Sequence, residues 1–126
     1  MDPFFDFVLA TREEVEKMLT FMSYPLEESN PAVLARQLVE AESYYARAAT
    51  ILADTTAHLE AAECESLPPV GTELERKTKV KGKTIDHRRH RAVLEGLCKA
   101  LTNRVSLGQS LLRSREREFQ NTMRKA

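Results

Sequence analysis

From Asn30 to Ser66 nothing in the chain breaks a helix, and across that stretch the apolar residues return at alternating steps of four and three. Leu34, Leu38, Ala41, Tyr45, Ala48, Leu52, Thr55, Leu59 and Ala62 keep this spacing over four repeats. That is the heptad pattern of a helix packed lengthwise against another helix. Asn30 is suited to cap such a helix and Pro31 to occupy its first position. Pro68-Pro69 and Gly71 stop it. One helix is therefore predicted over 31–66, about 54 Å long at ~1.5 Å per residue. Large residues (Leu38, Tyr45, Leu52, Leu59) alternate with small ones (Ala41, Ala48, Thr55, Ala62), and the small positions admit the backbone of a neighbour.

A partner is available in the same chain. Over 85–123 the residues Leu94, Cys98, Leu101, Val105, Gly108, Leu112 and Phe119 follow the same steps, interrupted at Arg115. Beside them runs a second row, Val93, Leu97, Ala100, Leu107 and Leu111. Together they make a face too wide for one partner helix. Either the N-terminal segment or another subunit must cover it.

That segment begins with an apolar arm, residues 1–10, containing Phe4-Phe5-Asp6-Phe7-Val8-Leu9. The arm reads as a plug over the open end of the hairpin or as a docking peptide. Thr11 and Glu14 have the spacing of a capping box, so a short helix is predicted over 11–23, ended by Tyr24-Pro25. Residues 67–84 carry only Leu67, Val70, Leu74 and Val80 as aliphatic residues and read as a mobile basic loop. The expected fold is all-α and one domain, 1–126: a long antiparallel, coiled-coil-like hairpin with a short N-terminal helix. So thin a hairpin leaves apolar surface uncovered. A homo-oligomer is expected, packed through Leu38, Tyr45, Leu52 and Leu59 of one helix and Leu94, Leu101, Val105 and Leu112 of the other.

Charge divides along the same lines. Residues 1–65 hold thirteen acidic and four basic side chains, and residues 66–126 hold six acidic and fifteen basic. Formal neutrality thus hides an acidic helix and a basic loop and helix. Arg76, Lys77, Lys79, Lys81, Lys83, Arg88, Arg89 and Arg91 fall within sixteen residues, against the single acid Asp86. If extended, the segment would point its four lysines to one side, roughly 6.6 Å apart. Such a cluster suits nucleic-acid phosphates, or it neutralises the acidic helix of a neighbour. Phe119 is the only Phe, Tyr or Trp in residues 66–126, so bases would find no stacking platform there. Binding to single-stranded nucleic acid should then be backbone-directed and steeply salt-dependent. Arg113, Arg115, Arg117, Arg124 and Lys125 form a second basic group, in which Arg113 and Arg117 share a face.

Other chemistry finds little support. The sequence has no Gly-rich phosphate loop, no Gly-x-Ser-x-Gly and no His-Glu-x-x-His. Glu13, Glu14, Glu16, Glu40 and Glu42 read as solvated helix faces, so no enzyme and no cofactor are expected. His87 and His90 share a face, but the surrounding arginines disfavour a cation, and no metal site is expected. Cys64 and Cys98 read as free, buried thiols of a reducing compartment. No apolar run approaches the ~20 residues of a membrane span, and the N-terminus lacks a signal-peptide pattern. The cytoplasm is the expected location.

The layout resembles a phage family. A helical N-terminal segment precedes a long helix with a central Tyr44-Tyr45, then a basic linker, then Leu94-Glu95-x-Leu97-Cys98-x-Ala100-Leu101-x-x-Arg104. This is similar to the UvsY-type recombination mediators of tailed phages, over roughly residues 30–120. The resemblance implies an oligomeric ring in the host cytoplasm that binds single-stranded DNA. It would remodel the single-strand-binding protein and help load a RecA-like recombinase. It implies DNA contacts from the central basic residues, here Lys77 to Arg91. Two other classes remain open. One is a phage-encoded helical inhibitor of a host defence protein or nucleoprotein complex, acting through its acidic half or its apolar faces. The other is a structural coiled-coil subunit whose charges pair between neighbours.

Overall fold

Asp2 and Pro3 start the first helix eight residues earlier than the Thr11 signal suggests. The Phe4 amide donates to Asp2 Oδ1 at 3.0 Å, and proline at the first position needs no partner for an amide it lacks. In this computed structural model, which describes residues 2–67 and 71–125, α1 therefore runs Pro3–Ser23. The apolar arm expected over 1–10 is helix. Thr11 lies inside α1, buried, with Oγ1 donating to the Phe7 carbonyl at 3.0 Å. Tyr24 is extended and Pro25 follows, so the helix stops there.

Asn30 Oδ1 accepts from the amides of Ala32 and Val33 at 3.1 and 3.3 Å, opening α2, Pro31–Ser66. The Pro68-Pro69 stop and Val70 fall outside the described residues. Beyond them Gly71 has φ +129°, a left-handed conformation that favours glycine. Thr72 and Glu75 then close a capping box, and α3 spans Glu73–Lys83. The mobile loop expected over 67–84 is thus mostly helix. The box supplies two partners for orphan amides, and Glu73 and Glu75 sit favourably against the helix dipole.

One residue, Thr84, separates α3 from α4, Ile85–Lys125. Its φ and ψ of −108° and 17° break the helical geometry, yet hydrogen bonding runs on across it. Its amide donates to the Val80 carbonyl at 3.0 Å, and the Arg88 amide donates to its own carbonyl at 3.0 Å. α3 and α4 are therefore one helical path with a fault at a fully buried threonine.

The described residues form four helices and no strand. α2 and α4 pair along most of their lengths as an antiparallel hairpin, the all-α class expected. The core is nevertheless built from three helices. Val15, Met18 and Phe21 of α1 meet Ala41, Ala48 and Ile51 of α2 and Leu94, Leu97 and Leu101 of α4. The third helix changes which residues are inside. Leu38 and Leu59 are buried as the heptad implies, but Leu52 is only half-buried and Ile51 beside it is fully buried. Tyr45, expected in the seam, is 42 % exposed, and Tyr44 turns inward with its ring 5.0 Å from Phe21. On α4, Leu94 and Leu101 are fully buried, and Val105 and Leu112 are half-buried. α1 covers Leu97 of the second row and leaves Val93 and Leu107 more than half exposed. Cys64 is exposed, contrary to the reading of two buried thiols, and Cys98 is half-buried.

Two arginines fasten the α1–α2 connection to α4. Arg104 Nη2 donates to the Tyr24 carbonyl while its guanidinium lies 4.8 Å from the Phe21 ring centre. Arg115 Nε donates to the Glu28 carbonyl at 2.7 Å. Arg115, which breaks the apolar row of α4, is thus the tie at that end. Past it Phe119 and Met123 are exposed. No helix among the described residues is long and apolar enough to cross a membrane.

Candidate nucleic-acid interface

Helix formation redistributes the basic segment. Alternate residues lie on one side of a strand but about 200° apart around an α-helix. Lys77 and Lys81 are four apart and share a face of α3; Lys79 and Lys83 share a different one. The four lysines therefore do not point the same way, as the extended reading required. Seven residues beyond Lys81 is Arg88, whose Nη2 donates to the Lys81 carbonyl across the Thr84 fault. Arg91 follows one turn later. Lys77, Lys81, Arg88 and Arg91 make a track along one flank of the α3–α4 path.

The ends of that track are partly neutralised. Lys77 Nζ lies 3.0 Å from Glu73 Oε1, and Arg91 Nε lies 2.9 Å from Glu95 Oε1. Arg76, Arg88 and Arg91 are half-buried, whereas Lys77, Lys79, Lys81, Lys83 and Arg89 are exposed. Among the described residues, Lys79, Lys81, Lys83 and Arg89 have no carboxylate within ion-pairing distance.

α3 turns back beside the last turns of α2. Glu63 and Leu67 of α2 and Glu73, Arg76, Lys77, Val80 and Lys81 of α3 line a shared groove of about 380 Å³. The basic segment therefore lies alongside the acidic helix rather than extending past its end, and Glu63 offsets some of its charge. In the second basic group Arg115 is engaged by the Glu28 carbonyl and by Glu118 at 3.1 Å, Arg113, Arg117 and Arg124 are exposed, and the Lys125 side chain lies outside the described residues.

The histidines face inward from the same stretch. His87 and His90 meet the first turn of α1 through Phe4, and His58 of α2 reaches the same ring. The sequence shows that His87 and His90 share a face, but nothing in it brings His58 and Phe4 to them. Among the described residues, no three His, Cys, Asp or Glu side chains are placed to hold a metal ion.

No family model, curated protein or solved structure matches this chain. The chemistry of the surface carries the functional argument.

Proposed function

We propose that this chain is a non-catalytic helical accessory protein that binds single-stranded DNA through its phosphates, using α3 and the first turns of α4. The observation that carries the reading is the set Lys79, Lys81, Lys83 and Arg89, all exposed and all without an ion-pair partner among the described residues. Exposed cations at the start of a long helix gain by releasing counterions from a polyanion. The scarcity of aromatic side chains in residues 66–126 argues for binding indifferent to base sequence.

The test is a filter-binding titration with labelled single-stranded DNA over a range of low salt concentrations. Changing Lys79, Lys81, Lys83 and Arg89 together to Gln should weaken binding and flatten its salt dependence, by about 0.7 in log–log slope per lost phosphate contact. Arg91→Gln should do less, because Glu95 already holds that guanidinium. An unchanged titration in the quadruple variant defeats the proposal.

The finer reading, a recombination mediator that forms a ring and loads a RecA-like recombinase, rests on the resemblance carried by Tyr44-Tyr45 and Leu94 to Arg104. Light scattering and co-sedimentation with a RecA-like recombinase on coated single-stranded DNA test its two parts. A second reading has one observation in its favour. Glu40, Glu42, Glu60 and Glu65 are exposed on α2 with no ion-pair partner among the described residues. Those unpaired carboxylates suit an inhibitor directed at a nucleoprotein complex or a host defence protein. Absence of DNA binding at high protein concentration would favour it.

A further inference from the structure

The chain has three histidines, and all three surround one phenylalanine. Phe4, in the first turn of α1, is 8 % exposed. Its ring lies 3.9 Å from the His87 ring, centre to centre, inclined by 23°, so the two are stacked. His90 meets it edge-on at 5.8 Å and His58 at 6.1 Å. Phe7, one turn along α1, lies 4.8 Å from His58. These contacts dock the beginning of α1 across both long helices, where α1 has no other buried side chain before Thr11.

The arrangement suits an uncharged ring at His90. His87 Nδ1 and His90 Nε2 are buried and have no hydrogen-bond partner among the described residues. Burial holds His90 below its ordinary value of 6.5. The charged groups around the cluster come from every element packed there. α1 contributes Asp2 and α2 contributes Glu65, which with Lys83 of α3 line the pocket holding Phe4, His58 and His87. Asp54 of α2 shares a second pocket with Phe7 and His58. α4 contributes Asp86, Arg88, Arg89 and Arg91 as sequence neighbours of His87 and His90. The acids therefore face His58 and His87. His90 stands under the edge of Phe4 between Arg89 and Arg91, and neither pocket that holds those acids includes it. Charging it there puts a proton on a buried ring whose Nε2 has no partner among the described residues.

We propose that the first two turns of α1 form an acid-released clasp, in which protonation of His90 expels Phe4 and frees α1 as far as Thr11. Release uncovers the rings of Phe4 and Phe7 and adds positive charge at the start of α4, next to Arg88, Arg89 and Arg91. The clasp is a property of the free protein and does not rest on DNA binding.

Amide hydrogen exchange on the full chain, without DNA, at about pH 7.5 and about pH 5.5 on either side of the imidazole range tests it. After correction for intrinsic exchange, protection of residues 4–10 should fall several-fold, with about tenfold as the ceiling for one imidazole of ordinary value 6.5 taken to about pH 5.5. Residues 48–51 and 94–101 should keep theirs. Phe4→Ala should leave residues 4–10 unprotected at both pH values with that core intact. His90→Gln should remove the pH dependence. Ring-proton titration by NMR on the unaltered chain gives a second readout, in which His90 should titrate below 6.5 in step with the loss of protection. Protection that stays constant or rises on acidification overturns the clasp. Protection lost equally from the core overturns it as a local device, and pH dependence surviving in His90→Gln overturns the assigned trigger.

Discussion

Leu38 fills the space that a side chain on Gly108 would occupy. A Cβ built on Gly108 would stand 3.0 Å from Leu38 Cγ and closer still to one of its methyls. Leu38 is 7 % exposed and has little room to withdraw. Gly108→Ala should therefore destabilise the fold by about 1–3 kcal/mol, the range for overpacking. Gly96, one repeat or more along the same helix, meets nothing within 4 Å of such a Cβ. Gly96→Ala should stabilise by about 0.5–1 kcal/mol through helix propensity alone. Urea unfolding midpoints at constant slope give both values, and equal effects of the two substitutions would contradict the packing described.

α3 should be the least protected helix in the molecule. It has eleven residues, none of them buried, and a helix that short is marginal in isolation. Its order depends on the Thr72–Glu75 box. Thr72→Ala should cost about 0.5–2 kcal/mol of local stability. Amide exchange over 73–83 should accelerate while residues 94–101 are unaffected. If the whole domain loses stability together, α3 is coupled to the core more tightly than its exposure implies.

The two Thr-x-x-Glu signals show what was legible in this sequence and what was not. Thr72 and Glu75 cap a helix; Thr11 and Glu14 have the same spacing and lie inside one. The difference is upstream. Asp2-Pro3 offers an earlier start, and burying Phe4 continues the apolar face of Val15, Met18 and Phe21 backward by about three turns. The long helices were readable because Asn30-Pro31 and the repeated steps from Leu34 to Leu59 agree with each other. The heptad nevertheless placed Tyr45 inside, since it assumed one partner helix and α1 supplies a second. The composition of the basic segment was plain, but its geometry was misjudged because alternating lysines imitate a strand. His58, Phe4, Arg104 and Arg115 act across long separations, and only the packed fold brings them to their partners.

Arg104 should matter more than its position suggests. Its guanidinium donates to the Tyr24 carbonyl where α1 ends, and it stacks near Phe21. Burial also lowers its affinity for a proton from the ordinary arginine value, as expected of a cation held against an apolar wall. Arg104→Ala removes a charge-assisted hydrogen bond and a cation–π contact, a loss of about 1–3 kcal/mol. Arg104→Lys should recover only part of it, because one ammonium cannot reproduce a planar guanidinium lying along Phe21 and reaching Tyr24. Thermal or urea unfolding of the two variants distinguishes a positioned guanidinium from a general need for charge. Equal stability of the lysine variant and the parent would favour the general need.

Acid should weaken the attachment of α1 in two separate steps. The second depends on Glu14, whose carboxylate takes two hydrogen bonds from Arg47 of α2, one of them from Nη2 at 3.1 Å. The Arg47 hydrogen bond pulls Glu14 below its ordinary value of 4.5, and burial only partly opposes this. A carboxyl group lowered in the folded state contributes stability that is present above 4.5 and is lost as pH falls through the folded value. A histidine lowered by burial, such as His90, loses its contribution as pH falls below 6.5. Stability measured against pH should therefore show one decline beginning near 6.5 and another beginning near 4.5. Both side chains of the ion pair are more than 40 % exposed, so screening keeps the second step small and ~1 M salt should shrink it further. Glu14→Gln should flatten the lower step and leave the upper one intact, whereas His90→Gln should do the reverse. A Glu14→Gln variant that loses both steps would mean that α1 detaches as one rigid unit, with its first turns and its middle tied to a single event.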